Sequence, residues 1–548
     1  MRTILYGLSI LTVNSLASSV TGCTADCEAK GSCGEYVAPP AGASAGGNAG
    51  ESEANAGESG TDAGEGGTSG TSDTGSAGLA GESGRSGSED DNAGASGAAG
   101  DGGTAGGGAA CDTTLSPREE SCLIGNDYAV FVAPNGKNNA PGTRTAPLAT
   151  LSEAIALAAG TKFVIVCDAI YDEHVTVSAA AKVYGGFRCP GDDDPWVVDT
   201  GAPLFRPSSA GPALEIDAVA EEVWLESLKF EAPAATLPGG TSIAALLNAS
   251  PKVKLNQVTL TAGAGMAGAN GTLSPFAYRD QAALNGNPET ATGAGGEEKS
   301  CACQSGLLSI GGAGGPPASA GQNGSDGLPN WGGGQAGDHA KACSAGGGGG
   351  DGSAAPPTNT ANGAATLGVL SADGWQPRSG TDGVTGSPGQ GGGGGASRNN
   401  LARGGGGGCG GCGGNGGTAG KGGGGSIALL LIDSPVVLNT CSLKTSDAGD
   451  GGAGIAGQFA QQQVGNGGNS VASTNSCGGG SGGKGADGGA SGGGAGGVSV
   501  GVLWKGKIAP SLTGTTMITG RAGVKGMGGV PGTNDGIPGV KQDVLYQP

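Results

Sequence analysis

The chain has 548 residues, of which 124 are glycine, about 23 % against a typical ~7 %. Aromatic residues make up only 3 % and charged residues 14 %, with 27 basic side chains against 47 acidic ones and a net charge of −20. That balance argues against one ordinary globular enzyme domain, since glycine has no side chain to bury and the most backbone entropy to lose, and against a nucleic-acid partner.

Met1-Arg2-Thr3 carries one positive charge, and an apolar run over residues 4–16 leads to Val20-Thr-Gly-Cys23. Small residues before a cysteine, after so short a run, read as an export signal over residues 1–22; a membrane-spanning helix needs ~20 apolar residues. The tetrapeptide resembles the lipobox of bacterial lipoproteins, where a peptidase cleaves before the cysteine and its thiol receives a diacylglyceryl group. The resemblance implies lipid attachment at Cys23. Thr24 in place of Asp implies sorting to the outer membrane, with the protein surface-exposed. The plainer alternative is an ordinary signal peptide with Cys23 in a disulfide. In the N-terminal piece 23–40, Cys27 and Cys33 are close enough to close a small loop. Residues 41–110 are nearly all Gly, Ala, Ser, Thr, Asn, Asp and Glu, with eleven acids against the single base Arg85. Such a stretch lacks apolar side chains for a core and is expected to be a disordered, self-repelling linker.

Composition shifts at Cys111. Residues 128–136 form a β-run ending in an Asn-Gly turn signal. Thr150-Leu-Ser-Glu153 has the form of a capping box, with Thr150 as N-cap of a short helix over 154–158. Residues 163–166 and 174–177 are strand-like. Phe131-Val-Ala-Pro-Asn-Gly136, Pro141-Gly-Thr-Arg-Thr-Ala-Pro-Leu-Ala-Thr-Leu-Ser-Glu-Ala-Ile155 and Tyr171-Asp-Glu-His-Val175 together resemble the opening of right-handed parallel β-helix proteins of the pectin-lyase-like fold. The resemblance implies a first rung with its capping helix and no particular reaction. Tyr184-Gly-Gly-Phe187, followed by Trp196, resembles the second rung of Gly-rich secreted members.

Internal repeats support the same architecture. Ser242-Ile-Ala-Ala-Leu-Leu-Asn-Ala-Ser-Pro251, Val253-Lys-Leu-Asn256 and Leu260-Thr261 recur as Ser426-Ile-Ala-Leu-Leu-Leu-Ile-Asp-Ser-Pro435, Val437-Leu-Asn439 and Leu443-Lys-Thr445. Residues 499–504, 511–512 and 517–519 are a weaker third copy, and 213–216 with 223–230 supply a further rung. A solenoid coil cannot bury its apolar face alone, so stacked copies are required; about five to seven rungs are expected. Gly-rich stretches at about 263–425 and 446–497 follow the last strand of a repeat, as insertions from one face. Glycine does not recur at every third position along the chain, which excludes collagen. The composition favours disorder or loose coil in these insertions. The alternative is glycine-only extended helices like those of some phage adhesin tips, in which every buried N–H and C=O must be satisfied.

Fourteen cysteines leave thirteen once Cys23 is set aside, so at least one is unpaired or intermolecular. Cys111 with Cys122 and Cys167 with Cys189 are the natural local pairs for an exported chain. Cys409-Gly-Gly-Cys412 has the spacing of zinc and redox sites, but no second CxxC or strand-to-helix context accompanies it, so loop-stapling disulfides are favoured. Asp192-Asp-Asp194 is the densest acidic cluster of the folded region and reads as a solvated turn before a calcium site. Asp172 and Glu173 read as structural turn residues, His174 as a strand-surface residue, and His339 as a loop residue without a partner. The catalytic signatures of β-helix enzymes (Gly-His-Gly, Arg-Ile-Lys, paired strand Asp) are missing, and no set of strand acids with a nearby Arg stands out. No catalytic, cofactor-binding or metal-binding residue is therefore assigned.

The expectation is an all-β chain: a right-handed single-stranded parallel β-helix over 111–548, with a short N-terminal capping helix, preceded by a disordered linker. Its function is expected to be a non-enzymatic adhesion, binding or envelope-structural role at the cell surface. The alternative is a polysaccharide lyase or hydrolase. Expected partners are outer-membrane lipid, through the anchor, and extracellular polysaccharide or another cell surface.

Overall fold

The apolar runs of the repeats become parallel strands, each repeat giving one strand to each of three sheets. The computed structural model describes residues 111–189, 195–290, 294–318, 323–329, 332–345, 347–470 and 476–548. The export signal, Cys23, Cys27, Cys33, the linker 41–110 and the acidic turn at 192–194 lie outside these residues.

The first sheet stacks Ala129–Val132, Phe163–Cys167, Ala181–Arg188, Val223–Glu226, Val253–Asn256, Val436–Asn439 and Ser511–Thr513, all parallel, with Val197–Val198 paired antiparallel to the third of them. The second stacks Ile170–Tyr171, Leu204–Phe205, Lys229–Glu231, Thr259–Thr261, Ser442–Lys444 and Thr516–Ile518. The third stacks Val175–Val177, Leu214–Asp217, Ser242–Asn248, Ser426–Ile432, Ser499–Lys505 and Lys541–Tyr546. This all-β arrangement of long parallel sheets is compatible with a parallel β-helix. The repeats pair in the register their sequences share: Ser242 with Ser426 and Ser426 with Ser499, Val253 with Val436, and Leu260 with Leu443.

Alternation sorts the side chains. In Val223–Glu226, Val223 and Leu225 are fully buried while Trp224 and Glu226 face outward. Inside, Tyr171, Phe205 and Phe230 stack on successive rungs at centroid spacings of 5.0 and 5.3 Å. The middle strands of the third sheet, Ser242–Asn248, Ser426–Ile432 and Ser499–Lys505, are buried on both faces. Ala428, Leu429 and Leu431 point into the common core, while Ile427 and Leu430 meet Leu370 and Trp375 of an antiparallel hairpin formed by Gly368–Ser371 and Gly374–Pro377. Double burial explains the unbroken apolar run of Ser426–Ile432.

Corners are made by single left-handed residues. Ser227, Gln257 and Thr440 follow strands of the first sheet, and Ala218, Ala249 and Asp433 follow strands of the third. Each donates its N–H to the next rung, as in Gln257 to Asn439 and Ala249 to Ile432, both at 2.9 Å. The helix runs Leu151–Ala158 and begins at Thr150, but the Thr150 hydroxyl makes no capping bond. The Glu173 carboxylate takes that role, accepting from the N–H groups of Leu151 and Ser152 at 2.8 Å each.

The Gly-rich insertions correct the expectation of loose coil. They leave from one corner, between second-sheet and third-sheet strands, and their backbones pair with one another. Along 404–409, three consecutive residues donate to three different neighbours, and every third residue keeps one of these rows as far as 423. Gly405, Gly408, Gly411, Gly414, Gly417, Gly420 and Gly423 donate to Cys477, Gly480, Gly483, Ala486, Gly489, Gly492 and Ala495 at 2.8–3.2 Å. Gly404 and Gly407 donate to Gly315 and Gly312, and Gly406 and Cys409 to Asn287 and Leu284. A three-residue repeat with no bond inside the segment is the signature of a polyproline-II-type helix. These segments therefore form a bundle of extended helices joined by backbone bonds. Glycine does recur in threes locally, at Gly380, Gly383, Gly386, Gly389 and Gly392, though not along the whole chain.

None of the glycines in 404–425 needs a left-handed φ; what each needs is a missing Cβ. A methyl on Gly407 would overlap the carbonyl oxygen of Gly392, and one on Gly414 that of Gln458. Asx side chains add staples: Asp382, Asp450 and Asp487 accept from the N–H groups of Ala419, Val524 and Ala460. Asp535 accepts from Gly528, Gly532 and Lys525, which hold its carboxyl down to about 2 from an ordinary 3.8.

Gly407→Ala or Gly414→Ala is expected to destabilise the folded chain by about 1–3 kcal/mol, as overpacking does. Gly478→Ala, whose methyl would lie 3.4 Å from Gly468 O, should be nearly neutral; thermal unfolding of the three variants checks this. Because the Asp535 carboxyl titrates lower in the folded chain than in the unfolded one, its stabilisation is present above about pH 4 and is lost as the pH falls toward 2. Asp535→Asn should lower the melting temperature at neutral pH and match the wild type near pH 2.

Candidate functional site

The outward residues of the first sheet form two cross-strand ladders. Lys182, Trp224, Lys254 and Val437 stand side by side on successive rungs, and beside them run Tyr184, Glu226, Asn256 and Asn439. Lys254 Nζ lies 5.8 Å from the Trp224 ring and Lys182 Nζ 6.0 Å from that of Phe163. The segment before the first strand walls this surface. The disulfide Cys111–Cys122 ties it into a loop, and Leu123 and Ile124 plug it into a cluster with Phe131, Phe187 and Trp196. Arg118 then lies against the sheet, donating to Gly185 O at 3.2 Å. Gly186 makes room: its φ is +80°, and a Cβ there would overlap the guanidinium.

The result is a cleft of about 670 Å³, lined by Arg118, Glu119, Lys182, Tyr184, Glu222, Trp224, Glu226, Asn256 and Gln257, with Thr114 and Ser116 on the rim. Its polar groups hold one another in place. Glu222 accepts from Lys254 at 2.6 Å, which with the neighbouring lysines lowers its pKa. Glu226 accepts from the Trp224 indole at 3.0 Å, and Glu119 from the N–H and hydroxyl of Ser116, which lower its pKa. Burial, and then Glu226, push the Tyr184 phenol well above its ordinary range, so it stays neutral. Asn439 donates to Asn256 Oδ1 at 2.9 Å, leaving the Asn256 amide N–H groups without a partner among the described residues.

Sequence reasoning missed this cleft. The alternation of Trp224 and Glu226, and of Lys254 and Asn256 one repeat later, places each pair on one strand face and was the available signal. The contribution of Arg118 and Glu119 was not readable, because it depends on how a distant segment packs.

The residues singled out from sequence sit elsewhere. Cys111 bonds Cys122 and Cys167 bonds Cys189, the two local pairs. Cys409 and Cys412 do not bond each other: Cys409 joins Cys301 and Cys412 joins Cys303, while Cys343 joins Cys477. Both CxxC sulfurs are thus consumed as staples between parts of the glycine bundle. Cys441 is free and buried, its thiol raised by burial. Asp172 accepts from the Ser208 N–H at 2.7 Å, and Glu173 caps the helix. His174 is held between Pro212 O (2.7 Å) and Ser209 Oγ (2.8 Å), just before its strand. His339 is not partnerless: its Nδ1 meets Asn323 Oδ1 at 2.7 Å. Among the described residues no group of three or more His, Cys, Asp or Glu side chains is placed to hold a metal ion, and no helix is long and apolar enough to cross a membrane. No family model, curated protein or solved structure matches the chain.

The staples close loops of 108, 109 and 134 residues, lengths at which the chain-entropy model assigns each about 4–5 kcal/mol. Replacing Cys301 and Cys409 together by Ser is expected to cost roughly 2–4 kcal/mol, read as a lower midpoint in denaturant unfolding.

Proposed function

We propose that this protein is an exported lipoprotein, anchored to the outer membrane through a diacylglyceryl group on Cys23 and surface-exposed, with residues 41–110 as its tether. In this reading the parallel sheets form a right-handed β-helix of pectin-lyase-like type that presents the glycine bundle for non-enzymatic adhesion or binding. The observation that carries the reading is the bundle itself: an ordered, nearly side-chain-free scaffold stapled by three disulfides, which suit an oxidising compartment.

Such a scaffold leaves side chains outward at every third position. Arg521, Val524, Met527 and Val530 form one exposed ridge, with Val524 63 % and Met527 47 % accessible, and Phe459 on a neighbouring helix is 76 % accessible. Apolar side chains placed in rows on a rigid surface suit contact with another cell surface or an extracellular polymer better than they suit solvent. An envelope-structural role uses the same features without a ligand.

A second reading, a lyase or hydrolase acting on extracellular polysaccharide, draws on the meeting of Glu119, Glu222 and Glu226 with Arg118 and Lys182 in the cleft, with Lys254 bonded to Glu222 beside it. A glycosidase acid needs a raised pKa, whereas those of Glu119 and Glu222 are lowered, so neither of these two suits that role.

Cys23→Ala is expected to abolish lipid modification and release the protein from the membrane fraction; unchanged fractionation would contradict the anchor. Cells displaying Val524→Ser/Met527→Ser are expected to adhere several-fold less than cells displaying the parent, with no loss of thermal stability. Release of oligosaccharides from polysaccharides by the purified chain would favour the enzyme reading.

A further inference from the structure

The cleft on the first sheet is separate from the bundle ridge, and its chemistry selects a ligand class. Its lining carries Arg118 and Lys182 against Glu119, Glu222 and Glu226, and Lys254, bonded to Glu222 from just outside the lining, brings the formal charges to balance, in a chain whose net charge is −20. A balanced site gives little electrostatic reward to an anion or a cation. What it offers instead is a dense set of fixed donors and acceptors beside an aromatic face.

The donors are the Asn256 amide, the Lys182 ammonium and those Arg118 N–H groups not spent on Gly185. The acceptors are the carboxylate oxygens of Glu222 and Glu226 that do not bond Lys254 and Trp224. The Tyr184 hydroxyl, kept neutral, both donates and accepts. Trp224 is half-buried and fixed through its indole N–H, so its ring presents a pre-oriented apolar surface at low entropic cost. Hydroxyl groups that each donate and accept, on a ring with an apolar face, match both halves of that lining. The volume, about 670 Å³, falls in the ordinary range for a small-molecule site.

We infer that the cleft is a binding site for a neutral saccharide, its ring against Trp224 and its hydroxyls among Glu222, Glu226, Lys182 and Asn256. The inference rests on reading the chain as a binding protein and names the ligand class of one site on it.

The test is calorimetric titration of the full chain with neutral gluco-, manno- and xylo-oligosaccharides and, as the charged counterpart, oligogalacturonate. The expected result is binding by at least one neutral series, with Kd changing less than about twofold between low and high salt. Trp224→Ala should weaken it at least tenfold at an unchanged melting temperature, and Trp224→Phe should restore most of it. Should Trp224→Ala fail to fold, Asn256→Ala is expected to weaken binding several-fold. Binding of oligogalacturonate alone, a steep salt dependence, equal binding by parent and variants, or no binding by any neutral series overturns the inference. Thin-layer analysis of the same mixtures separates the two readings: a neutral saccharide bound at Trp224 and then cleaved keeps the site and removes the non-enzymatic function. Loss of cell adhesion in the ridge variant alone, with saccharide binding intact, leaves both standing as separate surfaces.

Discussion

Two backbones pair side by side on three faces at once only where no Cβ stands between them, and most of this structure outside the sheets depends on that constraint. In a β-sheet each residue bonds in two directions and uses its side chains for the third. In the stretch 404–409, successive residues bond in three directions, to 312–315, to 477–480 and to 284–287, and every third residue carries the second of these rows on as far as 423, with glycine at 14 of the 20 positions 404–423. Hydrogen bonding replaces apolar burial as the way the interior is filled, which meets the requirement that buried N–H and C=O groups be paired. The cost is the large entropy of an unfolded glycine chain. Three long-range disulfides reduce that entropy, and they sit within or directly beside the insertions where it is largest.

The sheets give the bundle its starting positions. Each insertion leaves at the same corner, between a second-sheet and a third-sheet strand, so its ends are already one rung apart. Buried serines at that corner continue the stack: Ser242 donates to Pro233 O and accepts from Gly263 N–H, and Ser426 donates to Gly263 O and accepts from Ser446 N–H. A hairpin from within the first insertion returns to cover the third sheet with Trp375. Rungs and bundle thus share one continuous set of hydrogen bonds and one apolar interface.

The rungs were legible because their signals are local and repeat. The serine, the apolar run and the Ser-Pro turn at 250–251 and 434–435 recur at matching offsets, and matching offsets become paired registers. The capping role was misplaced: Thr150 and Glu153 have the right spacing, yet a carboxylate from the next rung, Glu173, reaches the helix first. The bundle was not legible from composition, since Gly, Ala, Ser and Asn tracts compose disordered chains as well. The distinguishing signal was spacing within the tract, as in Gly523, Gly526 and Gly529, each of which faces a neighbouring backbone. The cleft was half legible, its strand residues by alternation and its walling segment not at all.

The central claim, that the glycine insertions are an ordered bundle and not coil, is tested most directly by amide hydrogen exchange of the intact, oxidised chain. Peptides covering 404–425 and 477–497 are expected to exchange as slowly as those covering the strands Ser426–Ile432 and Ser499–Lys505, because their N–H groups are bonded. Exchange in those peptides at the rate of an unstructured chain, while the strands stay protected, would contradict the bundle.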